Sequence, residues 1–295
     1  VRVAITGGTG FVGRSAARAL LDDGHEVVLV SRGTRRVAPR EGLTAVRADV
    51  VTGAGLKEAF AGCDTVVHLT AVIREKGKQT FDAVIRRGTE NAVAAAATAG
   101  VGHFVYMSQI GADPDPRFTF HYNKWLAEQV VRGCGLPFTM LRPSLVFGPG
   151  DGFFTTLASL VRFSIPVVPI AGDGSALFQP IAVEDVARCI ALTVERGGAM
   201  RAIEIGGPEQ LSYEELIDII HDAIGAGLRI KVHVPVPALL PAAFVMDKVL
   251  PNPPVTPAQL KMLARHNITR IDAVRTAFGF SPISFTANAD YLSEN

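Results

Sequence analysis

Short apolar, β-branched runs alternate with amphipathic stretches along the first two thirds of the chain. Strands are expected at Arg2–Thr6, Glu26–Val30, Thr44–Arg47, Thr65–Leu69, His103–Met107 and Phe138–Leu141. Between them, apolar positions recurring at helical spacing predict helices over Val12–Asp22, Leu56–Ala61, Phe81–Ala99 and Phe120–Arg132. Strand–helix alternation of this kind builds parallel βαβ units, because a parallel neighbour needs a crossover long enough to return the chain. The implied fold class is α/β, a doubly wound parallel sheet (Rossmann fold) with a smaller C-terminal lobe of the substrate-binding type.

After Gly148-Pro149-Gly150 the rhythm loosens, then resumes with a helix at Val183–Glu195 and a strand at Ala202–Gly206. Ser212 followed by Glu215 reads as a capping box opening a helix that runs to Ile224. Beyond it the chain is proline-spaced and is expected to be irregular. The expected division is 1–150 with 173–207 for the dinucleotide-binding domain, and 151–172 with 208–295 for the smaller lobe, leaning over the carboxyl ends of the strands.

Composition narrows the function classes. The 295 residues are 48% hydrophobic, and 29 basic against 28 acidic residues leave a formal charge of +1. Such a balance creates no field favouring nucleic acid or an anionic membrane surface, so a small-molecule ligand or a protein assembly partner is expected. The three cysteines lie far apart without a CxxC pair, and the seven histidines form no metal-ligand spacing. No metal is therefore expected, and a reducing, cytoplasmic compartment fits. The most apolar stretch, Val232 to Val255, is broken by six prolines, against the roughly 18 uninterrupted apolar residues a spanning helix needs. The first residues show no signal-peptide pattern.

The strongest chemical signal is Thr6-Gly7-Gly8-Thr9-Gly10-Phe11-Val12-Gly13, placed between the first strand and the first helix. Glycines at 7, 10 and 13 let backbone approach a pyrophosphate, and the helix start offers unpaired N–H groups and a positive dipole end. At the end of the second strand, where an acid would hold an NAD ribose, the sequence reads Ser31-Arg32-Gly33, with Arg35 and Arg36 close behind. A guanidinium there suits a 2′-phosphate by charge and paired hydrogen bonds. NADP(H) is the expected cofactor, with NAD the second choice.

Together these residues resemble the short-chain dehydrogenase/reductase superfamily, in its extended or atypical branch of NAD(P)-dependent epimerases and dehydratases. Within that branch the chain looks like the nucleotide-binding accessory subunit of respiratory complex I and its bacterial relatives. Ala48-Asp49-Val50, Val67-His68-Leu69-Thr70-Ala71, Val105-Tyr106-Met107-Ser108 and the segment Leu141 to Gly150 carry the resemblance, with Val183-Glu184-Asp185-Val186-Ala187 and Ile205-Gly206-Gly207-Pro208 further on. It implies cofactor contacts from Gly7, Thr9, Gly10, Phe11, Val12, Gly13, Ser31, Arg32, Arg36, Asp49, Val50, Leu69, Thr70, Ala71, Ser108, Lys124, Pro143, Leu145 and Val146. It also implies a homodimer through the helices Phe81–Ala99 and Phe120–Arg132.

One departure bears on chemistry. The family pairs its serine, here Ser108, with Tyr-x-x-x-Lys, whose i, i+4 spacing sets phenol and ammonium on one helix face. Here Lys124 is preceded at that spacing by Phe120, which has no ionisable proton. Tyr122 sits about 200° away around the helix and His121 about 60°; the imidazole has a pKa suited to acid–base work. Ile85 stands where relatives often carry an asparagine. Ser108, Lys124 and His121 are thus the candidate catalytic residues. Two readings remain: a cofactor-binding protein that is redox-silent or weakly active, and an active oxidoreductase, epimerase or dehydratase acting on a small molecule.

Overall fold

The structure is a computed structural model, describing residues 1–33, 37–163, 167–225, 227, 230–250 and 255–293. The chain opens with β1 (Arg2–Thr6), α1 (Phe11–Asp22), β2 (Glu26–Ser31), β3 (Leu43–Arg47), α2 (Leu56–Phe60) and β4 (Thr65–His68). A π-helical turn (Asp82–Arg86) then leads into α3 (Arg87–Thr98), β5 (His103–Met107), α4 (Thr119–Arg132) and β6 (Phe138–Pro143). Next come β7 (Val146–Phe147), α5 (Phe154–Phe163), β8 (Val167–Ala171), β9 (Leu177–Phe178), β10 (Ile181–Ala182), α6 (Val183–Arg196) and β11 (Arg201–Ile205). The last third holds β12 (Leu211–Ser212), α7 (Tyr213–Ala223), β13 (Ile230–Val234), α8 (Val236–Val249), α9 (Pro257–Leu263) and α10 (Ala273–Phe278), and ends in a 3₁₀ helix (Thr286–Leu292).

Two compact units emerge: Val1–Pro143 with Val183–Ile205, and Ser144–Ala182 with Gly206–Asn295. The exchanges fall at strand and helix ends rather than at residues 150, 173 and 207, because β7 and β10 pair with each other, outside the large sheet.

In the first unit all seven strands run parallel in the order β11-β6-β5-β4-β1-β2-β3. Strand order reverses between β1 and β4, which opens a crevice at their carboxyl ends. The central strands are covered on both faces, so β4 is buried throughout and β1 from its second residue, and their sequence is continuously apolar rather than alternating. Helices α1 and α6 pack together. A core that includes Leu56, Phe60, Ile85, Phe104 and Met140 is shared by the sheet with α2, α3 and α4.

The single helix expected over Phe81–Ala99 is instead a π turn followed by α3. The Arg87 N–H reaches back five residues to the Asp82 carbonyl, a bulge that the apolar periodicity does not reveal.

The second unit has its own core, in which Phe154 packs on Phe285 at 4.6 Å between ring centres, with Phe147 beside them. Buried Asp151 organises this core, accepting from the Phe154 N–H at 2.7 Å and from the Tyr291 hydroxyl. The capping box at Ser212 and Glu215 is formed. The irregular C-terminal stretch expected from the prolines is corrected by α8, α9 and α10. Pro237 falls in the first turn of α8, where a missing N–H costs nothing, and Pro241 is accommodated inside the helix.

Candidate functional site

The glycine segment is a tight turn feeding a helix. The Gly10 N–H donates to the Gly7 carbonyl at 2.9 Å, and the Arg14 N–H donates to Gly10 at 3.1 Å. Gly10 caps α1 without any side-chain acceptor, and the first turn carries no acid. The leading N–H groups are therefore left for an outside anion. A Cβ on Gly13 would overlap the Gly7 carbonyl oxygen and lie 2.7 Å from Gly8 Cα. Gly7 adopts φ +71°, and a Cβ there would press on the Thr70 backbone at 3.1 Å. Only glycine lets the ends of β1 and β4 meet this closely.

A groove of about 500 Å³ opens over this turn. Its wall holds Gly7, Thr9, Gly10, Phe11, Val12 and Gly13, then Ser31, Arg32, Asp49 and Val50, and on the β4 side Leu69, Thr70 and Ala71. A second hollow of about 610 Å³ shares Arg32, Ala48, Asp49 and Gln79 with it and adds Arg47. The β2–β3 register explains the arginine pair, since Ser31 is the partner of Arg47 across the sheet and Arg32 follows Ser31. Asn91 on α3 donates to the carbonyls of Val50 at 2.8 Å and Val51 at 3.2 Å, fixing the loop that forms this wall.

At the end of β5, Ser108 is 3% exposed and its hydroxyl has no partner among the described residues. Lys124 on α4 is equally buried and donates from Nζ to the Met107 carbonyl at 2.8 Å, 5.2 Å from the centre of the Tyr106 ring. Burial pushes its ammonium down to about 8, with Glu128 opposing. Glu128 itself is clamped by Arg142 through two hydrogen bonds.

The aromatic residues around Lys124 divide between faces of α4. Phe120 packs edge-on against Phe81 at 5.3 Å, joined to the apolar core. Tyr122 stacks on Trp125, 6.1 Å away and 15° from parallel, so the only nearby phenol on this helix is directed elsewhere. The His121 ring lies against Gly111 and Phe118, in the segment that follows β5. Ile85 is fully buried in the core.

His68, at the end of β4, ties the same region together. Its Nδ1 lies 2.7 Å from the Thr6 hydroxyl and its Nε2 3.2 Å from the Thr89 hydroxyl. Thr89 spends its proton on the Ile85 carbonyl at 2.6 Å. His68 Nε2 must then donate to Thr89 while Nδ1 accepts from Thr6, which fixes one neutral tautomer. Burial, with Lys124 adding to it, holds its pKa down to about 3.

A family model described as NAD(P)H-binding matches residues 7–159. The chain belongs to the NAD(P)H-binding family. Among its relatives, the 2-alkyl-3-oxoalkanoate reductase of Stenotrophomonas maltophilia (strain K279a) is 26% identical, over 96% of this chain and 95% of its own length. The mitochondrial NADH dehydrogenase (ubiquinone) 1 alpha subcomplex subunit 9 of Arabidopsis thaliana is 25% identical, over 85% of this chain and 66% of its own. The fold is shared with a dTDP-glucose 4,6-dehydratase from Streptomyces venezuelae solved with NAD bound, at a TM-score of 0.76 and 22% identity, covering 100% of this chain and 98% of that one.

Of the residues the sequence nominated in this NAD(P)H-binding chain, thirteen share one groove, from Gly7 to Ala71. Ser108 and Lys124 sit together at the end of β5, outside that wall, and Pro143 closes β6. Leu145 and Val146 belong to the second unit, and Arg36, with Arg35, lies outside the described residues. Arg47 and Gln79 were missed. Arg47 could be found only by setting β3 in parallel register beside β2, whereas Gln79 lies in a segment without periodicity. Arg86 is paired with Asp82 and Glu90, one turn away on either side. No cluster of metal-ligating side chains is found among the described residues, and no helix among them is long and apolar enough to cross a membrane.

Proposed function

We propose that this NAD(P)H-binding protein holds NADP(H) as a resident ligand and is redox-silent or only weakly active. The carrying observation is Phe120. The residue one turn before Lys124 is an aromatic hydrocarbon packed on Phe81, while Tyr122 is stacked on Trp125. A bound nicotinamide would supply or accept hydride, and a carbonyl substrate would need a proton at the same time. On this reading the usual phenol for that proton is missing.

The residues fit the cofactor nonetheless. The open N–H groups of α1 meet the pyrophosphate, with Gly7, Thr9, Gly10, Phe11, Val12 and Gly13 as its cradle. Arg32 and Arg47 take the 2′-phosphate, which favours NADP over NAD, and Asp49 and Val50 flank the adenine. Leu69, Thr70 and Ala71 border the ribose next to the nicotinamide, which Lys124 anchors. Ser108 and Pro143 complete the nicotinamide end within the first unit. The second unit is then the face offered to a small molecule or to an assembly partner, a role consistent with the complex I subunit among the relatives.

A specific observation favours a second reading, an active reductase. Lys124 titrates near 8, so its ammonium is able to release a proton at neutral pH, with the buried Ser108 hydroxyl beside the same strand end to orient a carbonyl. The 2-alkyl-3-oxoalkanoate reductase, matched along nearly its whole length, is consistent with it. Purified protein tested for bound NADP(H), then for NADPH oxidation with 3-oxo esters, separates the two. Turnover that survives in His121→Ala and Tyr122→Phe but is lost in Lys124→Met supports the second reading.

A further inference from the structure

The second unit contains a cavity of about 230 Å³ that the nucleotide reading does not use. It lies between α5, β8, α8 and α9, and Leu157, Leu160, Leu239, Ala243, Met246 and Leu263 form much of its wall. Among the described residues, no charged side chain lines it. Its polar side chains are largely committed locally: the Thr156 hydroxyl donates to the Gly152 carbonyl at 2.7 Å, and the Gln259 amide oxygen serves the Thr256 cap. Tyr213 adds a phenol kept protonated, its pKa pushed up to about 12 by burial. Such a wall rejects an ion or a hydrated headgroup, since nothing repays their desolvation.

Size narrows the occupant further. Pockets for whole drug-sized ligands span roughly 300–1,000 Å³, whereas an apolar cavity of about 150 Å³ already admits benzene. A space of 230 Å³ therefore suits the apolar part of a larger molecule. The wall also has a weak side. Pro241 removes one backbone hydrogen bond from the middle of α8, and Ala243 is that helix's one buried residue. Phe244, Val245 and Val249 stand exposed on the same helix, at 57%, 59% and 72%. Apart from Asp247 and Lys248 near its end the helix is apolar.

We infer that this cavity is a binding site for an unbranched alkyl or acyl chain, with α8 as one of its walls. The inference stands apart from the nucleotide reading, because every residue involved belongs to the second unit and the test omits NADPH.

The test is calorimetric titration of the full chain with straight-chain fatty acids from hexanoate to tetradecanoate, below their micelle concentrations. Affinity should rise about fourfold per added methylene until the cavity is full, then level off. Ala243→Trp and Met246→Phe should each weaken binding at least tenfold and flatten the dependence, with the circular dichroism spectrum unchanged. Should Ala243→Trp fail to fold, the wild-type chain-length series and Met246→Phe still decide. Phe244→Ser, on the exposed face, should leave affinity within twofold. The inference is overturned by affinity independent of chain length, by filling variants that fold and bind as tightly as wild type, or by loss of binding in Phe244→Ser, which would move the site to the surface.

Discussion

Acid should destabilise the nucleotide-binding unit through two imidazoles buried in neutral form. His68 is held down to about 3 by burial and Lys124, and His103, on β5, to about 4 by burial alone. In the unfolded chain both titrate near 6.5. Because the folded pKa values lie below the unfolded one, the unfolded state takes up protons first as pH falls. Their contribution is complete above about pH 7 and is lost progressively from pH 6.5 toward 3–4. At pH 5 both stay neutral in the fold while the unfolded chain is protonated, which costs about 2 kcal/mol for each. The assay is urea unfolding of wild type and His103→Gln at pH 7.5 and pH 5, read as the difference of differences so that other titrating groups cancel. Glutamine retains a donor for the Thr139 hydroxyl, which His103 Nε2 approaches at 3.1 Å. Wild type should lose about 2 kcal/mol more than the variant between the two pH values. Equal losses would refute the claim that His103 is buried neutral.

Three further outcomes follow from the site. Gly13→Ala places a methyl group against the Gly7 carbonyl and Gly8 Cα, so NADPH binding should weaken at least a hundredfold in fluorescence titration while the far-ultraviolet dichroism is kept. Arg32→Ala and Arg47→Ala should each lower the preference for NADPH over NADH about tenfold or more, measured as the ratio of two dissociation constants, because each would remove the charged hydrogen bond proposed to hold the 2′-phosphate. Lys124→Met removes a desolvated ammonium whose folded pKa lies below its unfolded one; stability at pH 7 should hold or rise in thermal unfolding, while NADPH affinity falls about tenfold.

Sequence and structure agree most closely where local chemistry and burial point the same way. Strands β1 and β2 are largely apolar, buried runs, and β2 and β6 each extend the expected strand by only one or two residues. The phosphate turn was legible because its glycines answer to contacts within a few residues. Arg47 was not, because its relevance depends on a cross-strand register that no single segment encodes. The π turn at Asp82–Arg86 escaped because one inserted residue shifts hydrogen bonding without disturbing the apolar stripe. Helix α8 replaces the irregular stretch that its prolines suggest, because Pro237 occupies a position where no N–H is needed. Phe120 shows the reverse case: the helical spacing from Lys124 anticipated an apolar ring in place of a phenol, and the structure adds that the ring is packed on Phe81.

In the proposed function the cofactor is held without the usual phenol one turn before Lys124, where Phe120 stands instead. The most direct test is single-turnover NADPH oxidation, followed at 340 nm with a panel of 3-oxo esters and other carbonyl compounds, for wild type and Phe120→Tyr. Both proteins should bind NADPH at micromolar concentration, with oxidation near background in wild type and a gain of tenfold or more in Phe120→Tyr. Rapid oxidation by wild type, unchanged by Phe120→Tyr, would contradict the proposed function.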